Sequence, residues 1–242
     1  MAYLSDDDVE RVLVVVAHPD DIDFGVAGSV ATWTDRGIDV RYCLVTDGDA
    51  GGSDPSISRV EMAEIRRAEQ TAAAKIVGVT ELHFLGFPDG RVEANLELRH
   101  AISRVIRDVR PQRVVAMSPV RNFDRIFASH PDHLATGEAT LSAVYPDSRN
   151  PFAFPDLLDN GHEPWSVDEV LLTVHGESDR FVDITDGFDR KLAALLCHES
   201  QHADPDRLEV LLRDWGAATA AAAGMPDGRI AEAFRAIDTK PF

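Results

Sequence analysis

Two short clusters in this chain carry the side chains that bind metals and move protons. His18-Pro19-Asp20-Asp21 follows the apolar run Val14-Val15-Val16-Ala17, and His130-Pro131-Asp132-His133 lies more than 100 residues later. Together they offer three imidazoles and three carboxylates, enough for a metal site with a general base beside it. His18 and Asp21, three residues apart at a strand-to-helix turn, can present their side chains to one side. With His133 they form a His-Asp-His set that leaves a coordination position open, as in catalytic rather than structural zinc sites. Imidazole and carboxylate ligands suit Zn²⁺, and Fe²⁺ or Co²⁺ satisfy the same ligand types.

Asp20 has a different task. A carboxylate next to a ligand but pointing elsewhere can take a proton from a metal-activated water, whose pKa zinc lowers to roughly 7. His130, one helical turn before His133, shares the site without binding metal. As an imidazolium it would stabilise an oxyanion or protonate a leaving amine, and Asp132 would orient one of the imidazoles. A His-Pro-Asp sequence alone is usually no more than a turn; two such clusters at strand ends point to a metal site.

The elements that must position these residues follow from periodicity. Residues 11–17 read as a strand covered on both faces. Residues 25–33 have small apolar residues at helical spacing with Gly37 as a C-cap, and 39–46 form a second strand. Strand, helix, strand is a βαβ unit, so the sheet is expected to be parallel with a right-handed crossover. A Gly- and Asp-rich loop spans 47–55. A helix is expected over 57–77, burying Val60, Ala63, Ile65, Ala68, Ala72 and Ile76. A third strand at 82–85 leads to the turn Pro88-Asp89-Gly90, then a helix over 93–110 closed by Pro111, and a fourth strand at 113–117.

The second cluster opens a helix over 130–145, where Pro131 is tolerated in the first turn. Residues 150–164 are rich in Pro, Asp and Asn and form a candidate lid. Further strands are expected at 167–174 and 181–184, and helices at 188–196 and 208–222. The implied fold is a three-layer α/β sandwich, a Rossmann-like, mostly parallel sheet with helices on both faces. In such sheets ligands bind beyond the carboxyl ends of the strands, where both clusters fall.

Composition bounds the rest. A chain of 242 residues, 44% hydrophobic, can bury one full core, giving a single domain over 1–242. No apolar run reaches the roughly 20 residues of a membrane span. The acidic start, Met1-Ala2-Tyr3-Leu4-Ser5-Asp6-Asp7-Asp8, lacks the pattern of a signal peptide. Cys43 and Cys197 have apolar neighbours and no CxxC spacing, which reads as two reduced, buried thiols in a cytoplasmic protein. A net charge of −18 argues against nucleic-acid or anionic-membrane partners, which require clustered Lys and Arg.

Ala17-His18-Pro19-Asp20-Asp21 with Gly25 and Gly28, taken together with His130-Pro131-Asp132-His133, resembles the LmbE-like, or PIG-L, family of zinc-dependent deacetylases. The similarity continues through Thr46-Asp47-Gly48, Arg66-Arg67-Ala68-Glu69, Phe84-Leu85-Gly86, Asp89-Gly90, Lys191 and His198-Glu199-Ser200-Gln201. The resemblance implies zinc on His18, Asp21 and His133, Asp20 as general base, and His130, supported by Asp132, stabilising the tetrahedral intermediate. It further implies removal of an N-acetyl, or other N-acyl, group from a small amino-sugar or glycoconjugate substrate, and assembly into a homo-oligomer.

Two departures concern the substrate. Many members carry Glu directly after the first motif, where this chain has Ile22 and then Asp23. Mycothiol-pathway members carry Tyr where this chain has Ala128, which argues against a mycothiol-type substrate. The loop Arg121-Asn122-Phe123-Asp124-Arg125, Asp124 in particular, is the expected source of substitute polar contacts. Arg66 either reaches a sugar hydroxyl or phosphate, as the family's arginine does, or pairs with Glu64 or Glu69. His198 either lines the pocket or is a satisfied core histidine. Gly25 and Gly28 reflect close helix–strand packing rather than a dinucleotide fingerprint. Other readings are a different amide or ester hydrolase, an acyl or amide transferase of secondary metabolism, and a non-catalytic sugar binder; Asp20 and His130 argue against the last.

Overall fold

A computed structural model describes residues 4–124, 126–173, 177–202 and 204–240. Among them run β1 (Arg11–Val16), α1 (Asp21–Gly25), α2 (Ala27–Asp35), β2 (Asp39–Thr46), α3 (Arg59–Ile76), β3 (Leu82–Phe87), α4 (Leu96–Val109), β4 (Arg113–Met117), α5 (Pro131–Ser142), α6 (Pro155–Asp159), β5 (Glu169–Thr173), β6 (Arg180–Asp183), α7 (Phe188–Leu195), α8 (Pro205–Ala222) and β7 (Ala231–Asp238). The strands form one sheet in the order β3-β2-β1-β4-β5-β7-β6. The first five are mutually parallel, and β7 is antiparallel to both of its neighbours. This bears out the expected layered architecture.

Alternation along β1 shows why both faces are covered. Val12, Val14 and Val16 pack with Trp33 of α2 and Ala73 of α3, whereas Leu13 and Val15 pack with Ile102 and Ile106 of α4 and Ala139 of α5. Successive side chains point to opposite faces, so a strand buried on both sides must be apolar throughout. Chain direction across the sheet reverses between β1 and β4: from β1 the chain proceeds outward to β2 and β3, and then returns to β4 on the other side. The carboxyl ends of these two strands therefore flank the crevice in which open α/β sheets bind ligands.

Several elements differ from expectation. Strand β7 was not anticipated. Glu232 is buried, accepting the backbone N–H groups of Gly28 and Ser29 in the first turn of α2 at 3.1 and 2.8 Å and pairing with Lys191 Nζ at 2.6 Å. A carboxylate on orphan N–H groups at a helix start is a capping interaction, here supplied from another strand. The buried face of α3 is also different: Met62, Arg66, Gln70, Ala73 and Ala74 point inward, while Val60 is exposed.

Residues 150–164 are no lid over this crevice. Buried Arg107, in the last turn of α4, holds the carbonyls of Asn150 and His162; His162 pairs with Asp108; and Trp165 donates to Pro111 O at 2.7 Å, before the start of β4. These ties lie at the end of the sheet opposite the crevice. Gly28 packs as expected, since a Cβ there would lie 2.5 Å from Ile184 Cδ1, but a Cβ on Gly25 would make only ordinary contact. Both cysteines are free; Cys43 is buried and Cys197 partly exposed. No helix among the described residues is long and apolar enough to cross a membrane. Met1, Ala2, Tyr3, Arg125, Val174 and His175 lie outside the described residues.

Helix α5 carries the second cluster and presses its Gly137 against the end of β4. A Cβ at this position would lie 2.4 Å from the carbonyl oxygen of Met117. Gly137→Ala is expected to lower stability by about 1–3 kcal/mol through overpacking. Urea unfolding checks this, and an unchanged midpoint would mean that α5 shifts without cost.

Candidate active site

Three strand ends converge on His18, and a fourth supports them. The turn after β1 brings His18, Asp20 and Asp21; the Gly-rich loop after β2 brings Gly48; the turn after β3 brings Asp89; and the loop after β4 leads into α5 with His130, Asp132 and His133. His18 Nδ1 lies 3.3 Å from Asp21 Oδ2 and 3.2 Å from His133 Nε2, and His133 Nε2 lies 3.1 Å from Asp21 Oδ1. On the other edge of the ring, His18 Nε2 faces Asp89 Oδ1 at 3.1 Å and Asp132 Oδ2 at 3.3 Å. The His130 ring centroid is 5.0 Å from that of His18 and 5.3 Å from that of His133.

This donor set suits a divalent cation. Two imidazole nitrogens and a carboxylate meet on one side of His18, while its second nitrogen rests on carboxylates, as the outer nitrogen of a metal-bound histidine does. Two other groupings have ligand atoms close enough together for an ion, His18–Asp89–Asp132 and His18–His130–His133. Asp132 is less free to serve as a ligand, because it also accepts the backbone N–H groups of Gly90 and Val92 at 2.7 and 3.3 Å. His130 is the N-cap of α5, its Nδ1 accepting the N–H of Asp132 at 3.2 Å. With Nδ1 accepting, the ring proton belongs on Nε2. The carboxylate of Asp132 faces His18, so it does not support the His130 ring; only its backbone does.

Asp20 stands apart from this set. It opens α1 with a left-handed φ of 85°, which a non-glycine residue adopts only when its surroundings hold it there. Its Oδ2 accepts from Arg66 Nη2 at 3.1 Å, and Arg66 also donates to the carbonyls of Pro19 and Gly48 at 2.5 and 3.2 Å. Room for the guanidinium comes from the Gly-rich loop: a Cβ on Gly48 or Gly51 would lie 2.4 or 2.5 Å from Arg66 Nη1. Arg66 is buried, and Glu69 is engaged by Ser200 at 2.7 and 2.8 Å, so the expected surface pair does not form.

The electrostatics follow from this crowding of carboxylates. Burial works to lower the His18 pKa, but hydrogen bonds to Asp132, Asp21 and Asp89 outweigh it and push it up to about 12. Burial also disfavours the charged form of Asp21, yet His133 and His18 hold it well below the usual carboxylate range. Asp89 and Asp132 are likewise lowered against burial, chiefly by hydrogen bonds to His18. Asp20 is pushed up to about 7 by burial and by the neighbouring charge of Asp21, with Arg66 opposing. His130 is lowered by burial and by the two other imidazoles.

Asp124 is exposed on the rim of a cleft of about 1060 Å³ whose lining includes Asp21, His133, Phe24 and Phe123. Its backbone N–H is held by Asn122 Oδ1 at 2.9 Å. His198 is fully buried, with Nε2 2.8 Å from Asp23 Oδ2. Asp89 and Gln70 are the site residues that motif reading left without a role. A carboxylate just past a parallel strand was the available signal for Asp89. For Gln70 it was the i, i+4 spacing from Arg66 along α3.

Chelation tests the charge balance. The proton on His18 contributes stability that is fully present below pH 6.5 and lost as pH rises toward about 12. The lowered carboxylates contribute stability present above about pH 3.9 and lost as pH falls further. Across neutral pH the charged imidazole thus offsets the carboxylates when no cation does. EDTA is expected to lower the melting temperature without unfolding the chain, as circular dichroism can follow. Complete unfolding on chelation would contradict this.

Residues 13–144 match the family described as GlcNAc-PI de-N-acetylase, PIG-L. A diacetylchitobiose deacetylase of Thermococcus kodakarensis is 37% identical over 80% of this chain and 71% of its own length. A probable N-acetyl-alpha-D-glucosaminyl L-malate deacetylase 2 of Bacillus anthracis is 32% identical over 80% of this chain and 82% of its own. Among solved structures, the N,N'-diacetylchitobiose deacetylase of Pyrococcus horikoshii, complexed with the inhibitor MPG, superposes with a TM-score of 0.88 at 31% identity, covering 96% of this chain and 85% of that one. These relatives bear out the expected enzyme class, an N-deacetylase hydrolase, and the chain belongs to the PIG-L family.

Proposed function

We propose that this protein is a divalent-metal-dependent N-deacetylase acting on N-acetylated amino sugars or their glycoconjugates. The observation that carries the reading is the separation of two carboxylates on adjacent residues: Asp21 faces two imidazoles, while Asp20 is turned aside onto Arg66. His18, Asp21 and His133 would hold the ion, Zn²⁺ by ligand type, with Fe²⁺ or Co²⁺ as the other candidates. When bound, such an ion acidifies a water toward a pKa of roughly 7 and polarises an amide carbonyl.

The residues then have separate tasks. Asp20 accepts the proton of the attacking water, and a pKa near 7 suits a group that must take a proton and give it up again. His130, with its proton on Nε2, donates a hydrogen bond to the oxygen that becomes negative as the carbonyl carbon turns tetrahedral. It does this as a neutral imidazole, since its Nδ1 is occupied as an acceptor. Asp20 passes its proton to the departing nitrogen, leaving acetate and a free amine. Asp132 and Asp89 fix the His18 ring, and Arg66 serves the substrate through the carboxylate it holds. Asp124, at the rim, accepts hydrogen bonds from sugar hydroxyls.

The names of the relatives support the amino-sugar substrate, and the unpaired thiols support a cytoplasmic location. A single domain over 1–242 is supported by β7, which closes the sheet and caps α2. Homo-oligomerisation is read from the family resemblance alone, and light scattering measures it.

The first experiment measures metal per chain and acetate release from N,N'-diacetylchitobiose and N-acetylglucosamine. About one zinc per chain with acetate release is expected, and failure to take up metal would sink the ligand set. Asp20→Asn is expected to keep metal and lose on the order of 10²- to 10⁴-fold in turnover; full activity would sink the base assignment. His133→Ala should lose metal. Repeating the assay with an added amine separates hydrolysis from acyl transfer.

A further inference from the structure

Behind Asp20 a line of buried polar groups runs away from the cleft. The N–H of Asp20 donates to Gln70 Oε1 at 2.9 Å, Gln70 Nε2 donates to Asp23 Oδ2 at 2.9 Å, and the same oxygen lies 2.8 Å from His198 Nε2. Gln70, Asp23 and His198 are all fully buried. They come from three separate places: α1, α3 and the segment after α7.

Each partner fixes the next. The Gln70 amide has one acceptor and one donor group, and only the orientation that gives Asp23 an N–H also gives Asp20 a carbonyl oxygen. Asp23 thereby sets the direction of that amide, and His198 holds Asp23. Burying an amide, a carboxylate and an imidazole is unfavourable compared with filling the space with apolar side chains. What the network secures is the left-handed peptide of Asp20, the feature that turns its carboxylate away from the metal ligands.

We propose that Gln70, aligned by Asp23 and His198, is a positioning residue for the reaction: it clamps the Asp20 backbone so that the carboxylate stands ready as base. The proposal rests on the assignment of Asp20 as base.

The test uses the whole chain with N,N'-diacetylchitobiose as probe. Gln70→Leu is expected to lower kcat on the order of 10- to 100-fold, the scale of a misplaced catalytic group. KM and zinc per chain should stay unchanged, and the Asp20 amide proton should exchange faster with solvent deuterium. In an Asp20→Asn background the same change should have no further effect. Gln70→Glu sets two carboxylates against each other and should also be impaired. Adding Asp23→Asn should restore it, because the new amide can donate both to the carboxylate at position 70 and to His198 Nε2, whose proton moves to Nδ1.

A Gln70→Leu protein with unchanged kcat and an equally protected Asp20 amide would overturn the proposal. So would a loss that persists in full on top of Asp20→Asn, or a swapped pair that is not restored. If Gln70→Leu does not fold, the swapped pair, which keeps the shape of the core, decides. An active Asp20→Asn overturns both the base assignment and this proposal. An inactive Asp20→Asn beside a fully active Gln70→Leu overturns this proposal alone.

Discussion

One imidazole carries the charge balance of the whole catalytic edge. Asp21, Asp89 and Asp132 all lie within 3.3 Å of His18 nitrogens, and each comes from a different strand end. Carboxylates brought this close repel one another strongly in a partly buried setting, so the turn after β1, the turn after β3 and the start of α5 hold together only around a positive charge. The imidazolium supplies it when no cation is bound, and a cation held by His18 would take over that role, the ring giving up its Nδ1 proton. The same physics that suits the cluster to a cation makes it the knot joining three strand ends.

The arrangement follows from the topology of the sheet. Because the chain leaves β1 in one direction and returns to β4 on the other side, the two clusters flank a crevice that no crossover helix covers. Adjacent residues can then play different parts. Asp20 and Asp21 are neighbours in sequence, but a single left-handed peptide sends one carboxylate to Arg66 and the other to the imidazoles. Proximity alone would give two equivalent carboxylates; backbone conformation gives them different partners.

Most of the fold was legible because a doubly covered parallel sheet requires apolar strands, and β1 and β4 are apolar after their first arginine. The meeting of the two clusters was legible because imidazoles and carboxylates are concentrated at two strand ends. What escaped was polar and buried. On α3 the inward stripe is Met62, Arg66, Gln70 and Ala73, so counting apolar residues selects the wrong face. Strand β7 was missed as well, and its Glu232 looks like a surface residue until its partners, the N–H groups of Gly28 and Ser29 and the ammonium of Lys191, are known. The sequence shows which groups are polar but not which distant groups satisfy them, and at a functional edge those partners decide what is inside.

The cap on α2 sets an order in time. Gly28 and the carboxylate that completes its helix start are separated by 204 residues, so during synthesis this helix start waits for that whole stretch to emerge from the ribosome. Until β7 slots between β5 and β6, Lys191 and Glu232 lack each other and the first turn of α2 has open donors. A growing chain therefore completes the cap of this helix only when β7 has joined the sheet.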